Sequence, residues 1–241
     1  MGDADSVCVV REYRLETDGV PARIYEPEGA TSLLLLGHNG TLSKDHDRFV
    51  TLGRRYAEET GLAVVCIDAP AHGERAPDTE DPAQRMAIVH AEVVGPADQV
   101  VSDWQTTVTA LSHIGAPRAY VGFSMGAMKG LSVVASMPTI GAVVLGVAGV
   151  PTFAAADHRP SDSVVPHLEI AASFNRDLQV LMLNVTRDDM FRPQDVVELF
   201  SAIPGSGKRL MFWEGDHGDL PDEMVQASVD FLRRTTLQSR M

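Results

Sequence analysis

Residues 119–131 read Ala119-Tyr120-Val121-Gly122-Phe123-Ser124-Met125-Gly126-Ala127-Met128-Lys129-Gly130-Leu131. A short apolar run ends in Gly-x-Ser-x-Gly, and small or helix-favouring residues follow at once. That order predicts a strand, a sharp turn and a helix. At such a turn the serine is forced into a strained backbone conformation, and its hydroxyl stands clear at the end of the sheet. Gly122 and Gly126 omit the side chains that would keep the helix from passing close to the strand. The new helix points its free N–H groups and the positive end of its dipole toward that hydroxyl, where an oxyanion would form. A glycine-rich turn whose serine only caps the helix has the same composition. The rest of the chain separates the two readings, by whether other loops bring a base and an acid to the same place.

Upstream, residues 7–14 and 20–25 read as two strands of a hairpin turning at Thr17-Asp18-Gly19. Leu33-Leu34-Leu35-Leu36 is a continuous apolar strand, the pattern expected when both sheet faces are covered. It runs into Gly37-His38-Asn39-Gly40-Thr41, a loop rich in backbone donors. Residues 46–60 predict a helix that Gly61 stops. Residues 62–67 form another buried strand, ending in Asp68-Ala69-Pro70-Ala71-His72-Gly73-Glu74-Arg75. A Pro- and acid-rich excursion over 76–96, helical over 83–94, precedes a helix over 97–113 whose Val100, Val101, Trp104, Val108 and Leu111 fall at helical spacing.

Downstream of the elbow come a strand over 142–146, a looser segment over 147–177 with a helical stretch at 167–175, and a strand over 179–185. The loop Thr186-Arg187-Asp188-Asp189-Met190-Phe191-Arg192-Pro193 follows, then a helix over 194–201, a strand over 209–213, a loop over 214–220 and a helix over 221–234. Strands alternate with helices after the hairpin. The expected architecture is therefore α/β, a mostly parallel twisted sheet with antiparallel N-terminal strands and helices on both faces, in a single domain over 1–241. Ligands bind such sheets beyond the carboxyl ends of the strands. The loops after Leu36, Phe123, Val185 and Trp213 all gather at that rim.

Composition narrows the partners. The 241 residues are 44% hydrophobic and 22% charged, within the range of soluble globular proteins. Lys and Arg total 20 against 33 Asp and Glu, a formal charge of −13. A surface that acidic repels phosphate backbones and anionic lipid, so neither nucleic acid nor membrane is an expected partner. The first residues show no basic start and no long apolar run, so no signal peptide is visible. Of two cysteines, Cys8 and Cys66, the second sits in a strand, and a reduced cytoplasmic setting is expected. No Cys/His metal spacing, Walker loop or G-x-G-x-x-G occurs, so neither cofactor nor metal is implied.

A serine hydroxyl is a poor nucleophile at neutral pH. It needs a histidine to take its proton and a carboxylate to hold that histidine's tautomer. Eight histidines are available. His46, His90, His113, His158 and His167 lie where nothing brings them to the strand ends, and His38 and His72 precede the serine. His217, in Glu214-Gly215-Asp216-His217-Gly218-Asp219 directly after the last strand, has small and polar neighbours and is the expected general base and acid. For the carboxylate, Asp188 and Asp189 point in different directions, so one of them meets the imidazole. Asp189 is preferred because it stands four before Pro193, where the next helix starts. Asp188 is then left to hydrogen-bond the loop backbone. The order Ser124, Asp189, His217 is one in which this triad occurs. The N–H of Met125 is the expected first oxyanion donor, and the loop after Leu36 supplies the second from Gly40 or Asn39. His38, Met190 and Arg75 are candidates on the substrate side, His38 more as a brace of that loop than as a contact.

Together Gly122-Phe123-Ser124-Met125-Gly126, Gly37-His38-Asn39-Gly40, the loop Asp68…His72-Gly73-Glu74-Arg75, Asp189 and His217 resemble the α/β-hydrolase superfamily. The small size and the His-Gly-Glu-Arg loop are similar to its dienelactone-hydrolase-like and small serine esterase branches. A dienelactone hydrolase proper carries a cysteine nucleophile where this chain has Ser124, and many relatives read His-Gly-x where it has His-Asn-Gly. The resemblance implies an α/β-hydrolase fold, and with it hydrolysis of a small-molecule carboxylic ester, thioester or lactone through an acyl-enzyme. Perhydrolysis, carbon–carbon bond hydrolysis or acyl transfer by the same triad, and a non-catalytic ligand-binding member of the fold, are the alternatives. Only segments 76–96 and 147–177 are long enough to act as small caps or flaps, which implies a shallow pocket lined by Met86, Met125, Met128, Met190 and Phe153.

Overall fold

The computed structural model describes residues 8–150 and 161–238. Strands β1 (Val10–Thr17) and β2 (Val20–Pro27) form the opening hairpin. Both turn residues, Asp18 (φ 51°) and Gly19 (φ 75°), are left-handed, the backbone that a two-residue hairpin turn requires. Then follow β3 (Leu33–Gly37), α1 (Asp47–Thr60), β4 (Ala63–Ile67), a short 3₁₀ turn at Gly73–Arg75, α2 (Pro82–Val94) and α3 (Asp98–Ala110). The elbow pair is β5 (Pro117–Phe123) and α4 (Met125–Ser136). Next come β6 (Ala142–Gly146), α5 (Ser161–Ala172), β7 (Gln179–Arg187), α6 (Pro193–Ala202), β8 (Lys208–Asp216) and α7 (Asp222–Gln238).

The strands form one sheet in the order β1-β2-β4-β3-β5-β6-β7-β8. The β1–β2 and β2–β4 pairings are antiparallel, and every later pairing is parallel. This is the mostly parallel sheet with antiparallel N-terminal strands expected from the strand and helix order, and it agrees with the α/β-hydrolase fold that the resemblance implies. Strands β7 and β8 run longer than their apolar runs, so Arg187 and Asp216 still pair across them. The acid-bearing and histidine-bearing loops thus begin from neighbouring, hydrogen-bonded strand ends. The helical stretch of the looser segment starts earlier than its apolar pattern, at Ser161.

Side chains alternate between the two faces, as a two-residue strand period dictates. Leu33 and Leu35 join Trp104, Leu131, Val134, Phe174 and Leu199 on one face. Leu34 and Leu36 join Phe49, Tyr56, Met224, Val229 and Leu232 on the other. Helices α3 to α6 therefore cover one side and α1 and α7 the other. Among the described residues, no helix is long and apolar enough to cross a membrane.

Candidate active site

Ser124 occupies the turn between β5 and α4 with φ 51° and ψ −116°. A non-glycine residue held there costs on the order of 1–3 kcal/mol and persists only where its surroundings over-determine it. Here they do. The Ser124 N–H donates to the Gly146 carbonyl at 2.9 Å, which extends the β5–β6 ladder by one step. The Ser124 carbonyl accepts from Met128 N–H at 3.0 Å, the first turn of α4. Glycines make the approach possible. A Cβ on Gly122 would sit 2.4 Å from the Gly126 carbonyl oxygen, and one on Gly126 would sit 2.4 Å from that of Gly37. Tyr120 Oη, buried beneath the turn, donates to the Gly126 carbonyl at 2.6 Å.

At the sheet rim Ser124 Oγ lies 2.8 Å from His217 Nε2. His217 Nδ1 lies 2.8 Å from Asp188 Oδ2. The expected partner Asp189 does not meet the imidazole. Asp188 directly follows β7, and its Oδ1 accepts from the N–H groups of Met190 at 2.8 Å and Phe191 at 2.9 Å. That Asx-type turn folds the buried carboxylate back over the strand ends and leaves Asp189 exposed at the outer corner. One side chain thus does both jobs that the sequence divided between two. The legible signal was the strand end, not the helix start at Pro193: an aspartate in first position of such a turn bonds the backbone two and three residues on.

The histidine loop is tied in place from several sides. Asp216 N–H donates to Asp219 Oδ2 at 2.8 Å, and Asp219 N–H to the Asp216 carbonyl at 2.8 Å. Arg48 of α1 reaches the Gly218 carbonyl at 2.9 Å. Arg187 pairs with Asp216 at 2.9 Å and Glu214 at 2.8 Å, an exposed fastening across the β7 and β8 ends. The Phe191 ring lies against the imidazole, centroids 5.6 Å apart.

The loop after β3 is organised by His38. Its Nε2 accepts from Ala69 N–H at 3.0 Å, so its Nδ1 carries the proton and donates to the Asn39 carbonyl at 2.8 Å. Burial lowers its pKa to about 4, which keeps this tautomer neutral. His38 is therefore a brace and not a substrate contact: both ring nitrogens are used inside the fold. The Asn39 carbonyl also accepts from Leu42 N–H at 3.3 Å. Because the peptide is planar and trans, fixing that carbonyl fixes the opposite direction for the Gly40 N–H. The Met125 N–H stands at the first position of α4, where no intrahelical acceptor exists.

The other substrate-side candidates are engaged elsewhere. Arg75 pairs with the buried Asp103 at 2.5 Å and donates to the Asp68 carbonyl at 3.1 Å, so its charge belongs to the fold. Met190 packs on the main apolar cluster, and Met128 is buried within it. Met125 is buried, whereas Met86 on α2 is exposed. Phe153 and His158 lie outside the described residues. Among the described residues no group of three or more His, Cys, Asp or Glu side chains could hold a metal ion.

Residues 33–237 match the model of the alpha/beta hydrolase family. Among solved structures, the chain is similar to a PEG-bound cold-adapted esterase from an Arctic intertidal metagenomic library, at TM-score 0.72 and 26% identity over 97% of this chain and 96% of that one. It is also similar to TT1662 from Thermus thermophilus, at TM-score 0.74 and 21% identity over 94% of this chain and 98% of that one. The esterase Pf2001 of Pyrococcus furiosus aligns at TM-score 0.66 and 16% identity over 95% and 93% of the two chains. A comparison with curated proteins gave no match.

Proposed function

Because the chain belongs to the alpha/beta hydrolase family, we propose that it hydrolyses carboxylic esters through an acyl-enzyme on Ser124. The observation that carries this reading is the unbroken hydrogen-bonded line from Ser124 Oγ through His217 to Asp188, set on a strained serine. In this mechanism Ser124 Oγ attacks the ester carbonyl carbon while its proton passes to His217 Nε2. Asp188 Oδ2 accepts from His217 Nδ1–H and stabilises the imidazolium that forms. The N–H groups of Met125 and Gly40 receive the negative charge on the carbonyl oxygen. The tetrahedral intermediate then collapses, the C–O bond breaks, and His217 gives its proton to the departing alkoxide. Water repeats the sequence on the acyl-enzyme and releases the acid. Asp188 takes the role that the sequence gave to Asp189, and α2 serves as a small flap on one domain.

The test is turnover of short p-nitrophenyl esters together with labelling by a fluorophosphonate. The protein hydrolyses the esters and is labelled, and Ser124→Ala abolishes both while circular dichroism is unchanged. Hydrolysis that survives Ser124→Ala would remove the serine from the chemistry.

A further inference from the structure

A cavity of about 300 Å³ lies between the loop after β3, the loop after β4 and helix α2, with Thr41, Leu42, Ala71, His72, Met86 and Val89 among its lining residues. That is within the size range of small-molecule sites. Two of these residues, Thr41 (φ 66°) and Ala71 (φ 62°), are held in the left-handed region that side chains with a Cβ rarely adopt. Strain of that kind persists where the surroundings enforce it and gathers at ligand sites.

His72 supplies the polar group. The residue is 3% exposed, and its Nδ1 lies 2.7 Å from the Pro70 carbonyl oxygen. A carbonyl only accepts, so Nδ1 carries the proton and Nε2 presents a lone pair. That Nε2 is shielded from water and has no partner among the described residues. Burial lowers the pKa of this ring, which keeps the lone pair free at neutral pH. A buried acceptor left unmatched costs about 1–3 kcal/mol, a cost removed when a donor arrives.

The walls differ in how readily they move. The two loops are stapled together on their far side, where Lys44 donates from its backbone N–H to Asp68 Oδ1 and from Nζ to Asp68 Oδ2, each at 2.9 Å. By contrast Val89, 9% exposed, is the one buried residue among the described side chains of α2, while Met86 is 56% and Ile88 39% exposed. A helix whose described side chains make so little buried apolar contact shifts at low cost, and a subsite here requires that this shift uncover Nε2. The cavity also adjoins the reacting centre in sequence, since Thr41 follows Gly40. The His72 ring lies 5.3 Å from that of His38, which shapes the same loop.

We propose that this cavity is a substrate subsite of the same active site, taking an apolar alkyl or aryl group that carries a hydroxyl, whose hydrogen bond His72 Nε2 accepts. It rests on the esterase reading for its place in the reaction and on the cavity alone for its binding.

Calorimetry on the wild-type protein with 4-ethylphenol and its methyl ether tests the binding. The phenol binds about tenfold or more tightly than the ether, which has no proton to donate. His72→Phe removes that preference, and Ala76→Trp, which adds bulk at the cavity wall and keeps the His72 side chain, weakens both probes. Equal affinity for phenol and ether in the wild type, or a preference that survives His72→Phe in a folded variant, overturns the subsite. Should His72→Phe not fold, the wild-type pair and Ala76→Trp decide. Hydrolysis of ethyl 3-(4-hydroxyphenyl)propanoate and of 2-(4-hydroxyphenyl)ethyl acetate, each against its methyl ether, then shows whether the hydroxyl belongs to the acid or the alcohol, by which one has the lower KM. Turnover with no phenol preference sinks the subsite alone. Phenol preference with no turnover sinks the esterase reading alone.

Discussion

The elbow and the excursion over residues 76–96 meet the same sheet rim but are held in opposite ways. At the elbow, β3, β5 and α4 approach until only glycine fits, and a backbone hydrogen bond to Gly146 locks the strained Ser124. In the excursion, α2 has Val89 as the one buried residue among its described side chains. Chemistry that depends on 2.8 Å hydrogen bonds needs the first kind of support, because small misplacement of a base costs rate steeply. Recognition of a substrate that must enter and leave is served by the second kind, a wall that yields. Rigid placement and loose cover are thus divided between neighbouring segments.

The largest expected effect lies at the most rigid point. Asp188→Asn keeps an oxygen for the Met190 and Phe191 N–H groups but offers His217 a different partner. It should lower kcat by about ten-thousandfold, with KM little changed. Asp189→Asn, one residue along and exposed, should stay within about twofold of wild type. Steady-state kinetics on one p-nitrophenyl ester separates them, and equal losses in both would return the acid to an open choice.

A middle-sized effect is expected where backbone meets backbone. Gly126→Ala drives a methyl into the Gly37 carbonyl, and neither chain segment has a flexible end that can swing aside. We expect a loss of about 2–3 kcal/mol in urea unfolding, with activity falling further than stability because the elbow itself is displaced. An unchanged midpoint would mean that the close approach of α4 to β3 is not what holds Ser124.

How much of this was readable beforehand follows the same division. The glycine spacing around Ser124, the run of four leucines and the alternation of strands with helices are local patterns with one physical reading, and the mostly parallel sheet and the elbow came from them. The place of His217 after the last strand was legible for the same reason, since topology fixes where strand ends lie. The carboxylate was not. Choosing between Asp188 and Asp189 depends on which way a turn folds, and β7 ran past its apolar residues to Arg187, so the loop began later than Val185 suggested. Arg75 looked free to meet a substrate because its partner Asp103 lies on α3, far along the chain. His72 showed no signal at all: an unmatched nitrogen is a property of three-dimensional surroundings.

The smallest expected effect lies on α2 and sharpens the contrast most. Replacing Met86 and Ile88 by serine removes apolar surface that is already largely in water, so each change should alter unfolding free energy by no more than about 0.5 kcal/mol. On α4, Val133→Ser puts a hydroxyl where the side chain is fully buried in the main cluster, and should cost about 2 kcal/mol or more. Urea unfolding of the three variants side by side makes the measurement. Were the α2 changes to cost as much as Val133→Ser, those side chains would have to be buried under the conditions of the experiment. Helix α2 would then be part of the packed body, its displacement would no longer be cheap, and His72 Nε2 would be closed to any substrate.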